Sequence, residues 1–181
     1  MRTEKNRTAL AGASRNAARA FEALKAPEFS HVPPEEKSAW AMAALIHCDI
    51  CRLVIAYAEC EREGIARLLC MSDISSKLYE ARNWYSNAGT ALLRGIAARK
   101  PYGLVKANKE IEHLKITHQV HRINKYADYR NRIGYHYDEQ ALQYLEKFSN
   151  EDAEEFFEVL TSFVKFAGAW AQLTKDLIQS Q

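Results

Sequence analysis

Glycine and proline are scarce, with 7 and 4 copies among 181 residues. An architecture built from many tight turns is therefore disfavoured, and a few long helices joined by short loops are favoured. No segment alternates apolar and polar residues over strand length, so the pattern offers no half-buried strand. No internal repeat is present. No run of about 18 consecutive apolar residues occurs either, and no transmembrane helix is expected. The N-terminus lacks the apolar core of a secretory signal. Residues 1–26 are rich in Arg and Ala and nearly free of acids, as organellar transit peptides are. The reading adopted is a frayed or peripheral first helix, with a cytoplasmic location as the default. Also missing are a Gly-rich phosphate loop, a Gly-x-Ser-x-Gly elbow and a His-Glu-x-x-His zinc motif.

What is present suits one helical domain spanning 1–181. The length is enough for one core and short for two, and 48% hydrophobic residues exclude general disorder. The four cysteines, Cys48, Cys51, Cys60 and Cys70, stand in apolar helical surroundings. They read as buried thiols of a reducing compartment, not as a disulfide framework. The net charge of +2 hides an uneven distribution: Arg99 to Arg132 holds nine Lys and Arg against three acids, and Asp138 to Glu158 holds eight acids and one Lys. Two faces of opposite sign are expected, the basic one suited to phosphate or simply solvated.

Periodicity places a first helix over 6–25, before Pro27. Pro33-Pro34 followed by Glu35-Glu36 starts a second, since proline suits the first turn and acids there favour the helix dipole. That helix runs past Trp40, Cys48 and Ile55 to an end between 63 and 70, with Gly64 as one stopping point. Ser72 or Asp73 caps the next, which carries Leu78, Trp84, Tyr85, Leu92 and Ile96 toward Lys100. Pro101-Tyr102-Gly103 is a turn. A long helix then runs from Leu104 to about Ile133 on the stripe Ile116, Val120, Ile123, Ala127. A short helical piece covers Glu139 to Phe148. Asn150 caps the last helix, with Phe156, Leu160, Phe163, Ala167, Trp170, Thr174 and Leu177 along one face. The predicted fold class is all-α, an up-and-down antiparallel bundle of four to six helices.

Extending the Ile116–Ala127 stripe by one step reaches Arg130 and Asn131, then Gly134. A guanidinium thus stands where the pattern asks for an apolar side chain. Burying it requires either an acid inside the bundle, such as Glu59 or Glu80, or a concave site open to a ligand. His136 follows six residues after Arg130. On a straight helix six steps of about 100° leave the two side chains far apart in angle. They converge only if the helix ends or bends between them, which Gly134 permits.

The string Arg130-Asn131-Arg132-Ile133-Gly134-Tyr135-His136-Tyr137-Asp138 resembles the signature of the HEPN superfamily: an Arg, four to six residues, then a His, often with a polar residue directly after the Arg. HEPN domains are helical bundles with this motif late in the chain. The resemblance implies a metal-independent endoribonuclease without cofactor, acting in a toxin, defence or RNA-processing role. It also implies a homodimer that joins two motifs through the 126–138 segment. His136 would exchange a proton with the RNA 2′-hydroxyl or the departing 5′-oxygen. Arg130 would hold the scissile phosphate, and Asn131 would orient phosphate or His. Tyr135 and Tyr137 would stack a base, while Arg132, Lys125 and Arg122 supply further RNA contacts. RNA is the expected partner, with no DNA and no membrane. In some HEPN toxins a Tyr two residues after the His is modified by an antitoxin. Here that position is Asp138, with Tyr137 one residue early, which weakens the case for an antitoxin partner of that kind.

Other constellations carry less. Cys48-Asp49-Ile50-Cys51, preceded by His47, lacks the second pair that zinc sites use. Glu110-Ile111-Glu112-His113 has di-iron spacing but no second copy. His118 and His121 share a face as solvated neighbours or a metal pair. The alternative function is a non-catalytic helical module that binds RNA or a partner protein.

Overall fold

Helix α1 (Arg2–Lys25) buries Ala13, Ala17, Ala20 and Ala23, spaced by three or four residues along one side. The structure, a computed structural model, describes residues 2–60, 64–101, 103–131, 143 and 150–180. Its other helices are α2 (Pro34–Glu59), α3 (Gly64–Trp84), α4 (Thr90–Ala98), α5 (Leu104–Thr117) and α6 (Asn150–Gln179). Among the described residues these six helices meet no strand, and the architecture is an all-α bundle. The alanines of α1 pack on Trp40, Ala41 and Ala44 of α2 in a small cluster separate from the main core. Side chains this small let two helix backbones approach closely.

α2 starts as its sequence dictates. Pro34 takes the first helical position, and Glu35 and Glu36 occupy the first turn. Glu36 is nonetheless buried, with Arg99 Nη2 at 3.0 Å and Lys100 Nζ at 3.9 Å. These cations follow the last turn of α4, so the pairing pins the two helix ends together. By length and composition α2 could span a membrane, contrary to the expectation that no segment would qualify. A strict count of consecutive apolar residues misses it, because a few polar residues punctuate the run. Half of its most apolar window is buried within the bundle.

The main core joins Ile50, Leu53, Val54 and Tyr57 of α2 to Leu68, Met71, Ile74 and Leu78 of α3. α6 supplies the rest. Phe156, Leu160, Phe163, Ala167, Trp170, Thr174 and Leu177 are all buried, which is the face its periodicity predicts. Each large side chain so buried contributes about 1.5–3 kcal/mol.

Four boundaries differ from the sequence reading. α2 stops at Glu59, where Cys60 turns extended (ψ 151), earlier than the expected end between 63 and 70. Gly64 begins α3 instead of stopping α2. Ser72 and Asp73 are not caps but lie inside α3. The Ser75 and Ser76 hydroxyls bond back to the carbonyls of Met71 and Ser72, so these serines do not compete for the helix backbone. Between α3 and α4 the chain stays helical but widens into a π turn, Tyr85–Gly89, with Thr90 Oγ1 donating to Tyr85 O at 2.6 Å.

The fourth difference matters most for the motif. The single helix expected from Leu104 to Ile133 is broken. α5 ends at Thr117, and Gln119 takes a left-handed conformation (φ 48). A 3-10 helix, Val120–Tyr126, and one α turn, Ala127–Tyr129, follow. Ser162 Oγ of α6 donates to His118 O at 2.9 Å, a tertiary bond that holds this corner. The break turns Ile116 outward, 73% exposed, while Val120 and Ile123 remain buried. The expected piece Glu139 to Phe148 lies outside the described residues, apart from Gln143.

Candidate functional site

Glu80 and Tyr79 hold the Arg130 guanidinium, and a hydrogen bond anchors the backbone just before it. The Ser72 hydroxyl donates to Tyr129 O at 2.7 Å, fixing the backbone just before Arg130 against α3. About two turns further along α3, Tyr79 and Glu80 face the guanidinium. Arg130 Nη2 donates to Glu80 Oε1 at 2.9 Å, and the guanidinium carbon lies 4.5 Å from the Tyr79 ring centroid. Arg130 Nη1 also approaches Asn131 Oδ1 at 3.4 Å. The Arg130 side chain is 24% exposed and that of Glu80 56%. Of the two settings the sequence allowed, the acid partner is therefore observed. Glu80 supplies it at the bundle's edge, whereas Glu59 pairs with Arg7.

Tyr126 lies beneath this face, buried with its ring 4.8 Å from Phe156 and 6.1 Å from Tyr129. Among the described residues its hydroxyl has no hydrogen-bond partner. Burial raises its pKa, and Glu155 adds to the rise.

Arg122 and Lys125 lie on the neighbouring 3-10 helix, and both pair with α6. Arg122 Nη2 is 3.2 Å from Glu155 Oε1 and 3.9 Å from Glu158 Oε2, and Lys125 also bonds Glu155. The Lys125 bond, with help from Arg122, holds the Glu155 carboxyl below its ordinary range against the opposing effect of burial. At this corner the expected faces of opposite sign meet: Arg122 and Lys125 of the basic stretch pair with Glu155 and Glu158 of the acidic one at the start of α6. Asn131 is exposed. Arg132, Tyr135, His136 and Tyr137 lie outside the described residues, as does the bend expected at Gly134.

Sequence reasoning named Glu80 only as one of two acids and missed Tyr79 and Ser72 as members of the site. Their spacing was a usable signal: 72, 76, 79 and 80 fall on one helical face.

The remaining candidates separate. Cys51 is buried, which pushes its thiol up to about 11, with Cys48 adding to the rise. His47 packs against Gly168, where a Cβ would lie 3.0 Å from its Nε2, and burial lowers its pKa. His118 turns toward α6, its ring 6.4 Å from Phe166, while His121 is exposed, so they form no pair on one face. Burial lowers the His118 pKa, helped by Lys165 and His113. Among the described residues no group of three or more His, Cys, Asp or Glu is placed to hold a metal ion. A cleft of about 180 Å³ opens elsewhere, between α1, α2 and α6, lined by Asn6, Cys51, Val54, Thr161 and Lys165.

Compared with protein-family models, curated proteins and solved structures, the chain matches none.

Proposed function

We propose that this chain is a metal-independent endoribonuclease of the HEPN type. The observation that carries the reading is Arg130: an arginine three-quarters covered on a packed helical face, six residues before His136 in the string Arg-Asn-x4-His. Its forked donors suit a phosphodiester, and the carboxylate that holds it is more than half exposed. An RNA phosphate would compete with Glu80 for the same guanidinium edge. His136 would take the 2′-hydroxyl proton as that oxygen attacks phosphorus, or protonate the departing 5′-oxygen. The products would carry a 2′,3′-cyclic phosphate, or a 3′-phosphate after hydrolysis, and a 5′-hydroxyl. Asn131 orients the phosphate, and Arg132, Tyr135 and Tyr137 extend the RNA contact. Arg122 and Lys125 contribute only where RNA displaces Glu155.

The test is cleavage of mixed RNAs in EDTA by the purified chain beside His136→Ala and Arg130→Ala. Removing one proton-transfer or phosphate-binding group costs on the order of 10²-fold or more. Both variants should nearly abolish cleavage while keeping the helical circular dichroism spectrum. RNA left intact by the parent chain but bound with steep salt dependence would replace the enzyme with a non-catalytic RNA-binding module. Undiminished cleavage by His136→Ala would overturn the assignment of that residue.

A further inference from the structure

The sequence reading treats all four cysteines alike, yet two of them converge on the same turn of α3. Cys60 closes α2, where its backbone turns extended. Its Sγ lies 3.4 Å from Ala66 O in the first turns of α3. Cys70 follows Ala66 by one helical turn. Side chains on a helix lean toward its N-terminus, so the Cys70 thiol covers the turn that contains Ala66. The Ala66 carbonyl that accepts from Cys60 therefore lies on the turn that the Cys70 side chain covers. Both are partly exposed, whereas Cys51 is buried among core side chains.

We infer that Cys60 and Cys70 form a reversible redox pair, closing to a disulfide that staples the end of α2 to α3 when a hydroperoxide reaches them. One thiol, as thiolate, attacks the peroxide O–O bond and becomes a sulfenic acid, and the other oxygen leaves as an alcohol, or as water where the oxidant is hydrogen peroxide. The second thiol attacks the sulfenic sulfur, an S–S bond forms, and water leaves. Two S–H bonds are lost, and the two electrons released reduce the peroxide. The bridge ties down the N-terminal part of α3, the helix whose later turns carry Ser72, Tyr79 and Glu80.

The rate should depend on pH, because the thiolate is the nucleophile. Burial pushes the Cys70 thiol up to about 11. Contact with Cys60 and the charge of Asp73 add to the rise, and Arg67 opposes it. Arg67 also lies over the Tyr57 ring of α2, 4.0 Å from its centroid. The rate therefore rises with pH.

The experiment exposes the full chain to hydrogen peroxide, alkylates the remaining thiols under denaturing conditions, and maps the peptides by mass. The expected product is a monomer that has lost two hydrogens, retains two of its four alkylatable thiols and carries a Cys60–Cys70 cross-link. Dithiothreitol should restore all four thiols. Cys60→Ser and Cys70→Ser should each abolish the cross-link, and Cys48→Ser should leave it unchanged. Four alkylated thiols after treatment, a bridge between Cys48 and Cys51, cross-linked dimers or irreversible sulfinic acid would each overturn the inference.

Discussion

At the scale of single residues, the decisive feature is an arginine shared between a carboxylate and an aromatic ring. The Arg130–Glu80 pair is partly solvated, and such pairs contribute about 1 kcal/mol or less to stability. Its importance is therefore for the guanidinium's availability, not for the fold. Glu80→Gln removes the competing charge and leaves a neutral side chain of similar shape. RNA binding is expected to tighten several-fold, with the melting temperature nearly unchanged. Filter binding at fixed salt measures the first and thermal denaturation the second. Weaker binding would show that Glu80 positions Arg130 instead of competing for it.

Among the elements, the π turn between α3 and α4 and the corner before α6 each make a measurable claim. A Cβ on Gly89 would lie 2.8 Å from Trp84 Cζ3 and 3.2 Å from Trp84 O. Gly89→Ala is expected to cost about 1–3 kcal/mol through this overpacking. The loss should shrink in a Trp84→Ala background, where part of the clash is gone, and a double-mutant cycle in urea tests the coupling. At the corner, Lys125 and Arg122 depress the Glu155 carboxyl from its ordinary 4.5. A depressed acid contributes stability above its ordinary value and loses it as pH falls through the folded one. Glu155 is about a third exposed, so Glu155→Gln should cost at most about 1 kcal/mol near neutral pH. The difference should vanish in acid below the folded pKa. A gap in melting temperature that persists at low pH would assign the effect to packing instead of charge.

For the whole molecule, the proposed chemistry calls for two copies. A two-fold dimer through the 126–138 segment would bring two Arg–His motifs together, since an isologous contact uses the same patch on both subunits. Light scattering at micromolar concentration should give twice the chain mass, and introducing a charge at exposed Asn131, as in Asn131→Asp, should weaken the dimer. A strict monomer that cleaves RNA would separate the reaction from the assembly.

How much of this was legible beforehand follows from what is local. Helical periodicity is a property of neighbouring residues, so the face of α6 from Phe156 to Leu177 could be read directly. So could the proline start of α2, whereas the stripe that pointed to Arg130 is broken at Gln119 and leaves Ile116 exposed. The corner at Gln119 could not, because a left-handed residue there is usually glycine. Gln119 is accommodated where Ser162, forty-four positions from His118, bonds the carbonyl beside it. Arg130 and Glu80 are fifty residues apart, and Arg122 meets Glu155 only because that corner turns the basic stretch back onto α6. By itself the sequence determined that the chain is helical, which faces are apolar, and that Arg130 needs a partner. The tertiary structure decided where the helices break and which acid that partner is, because ends and pairings depend on bonds between residues far apart along the chain.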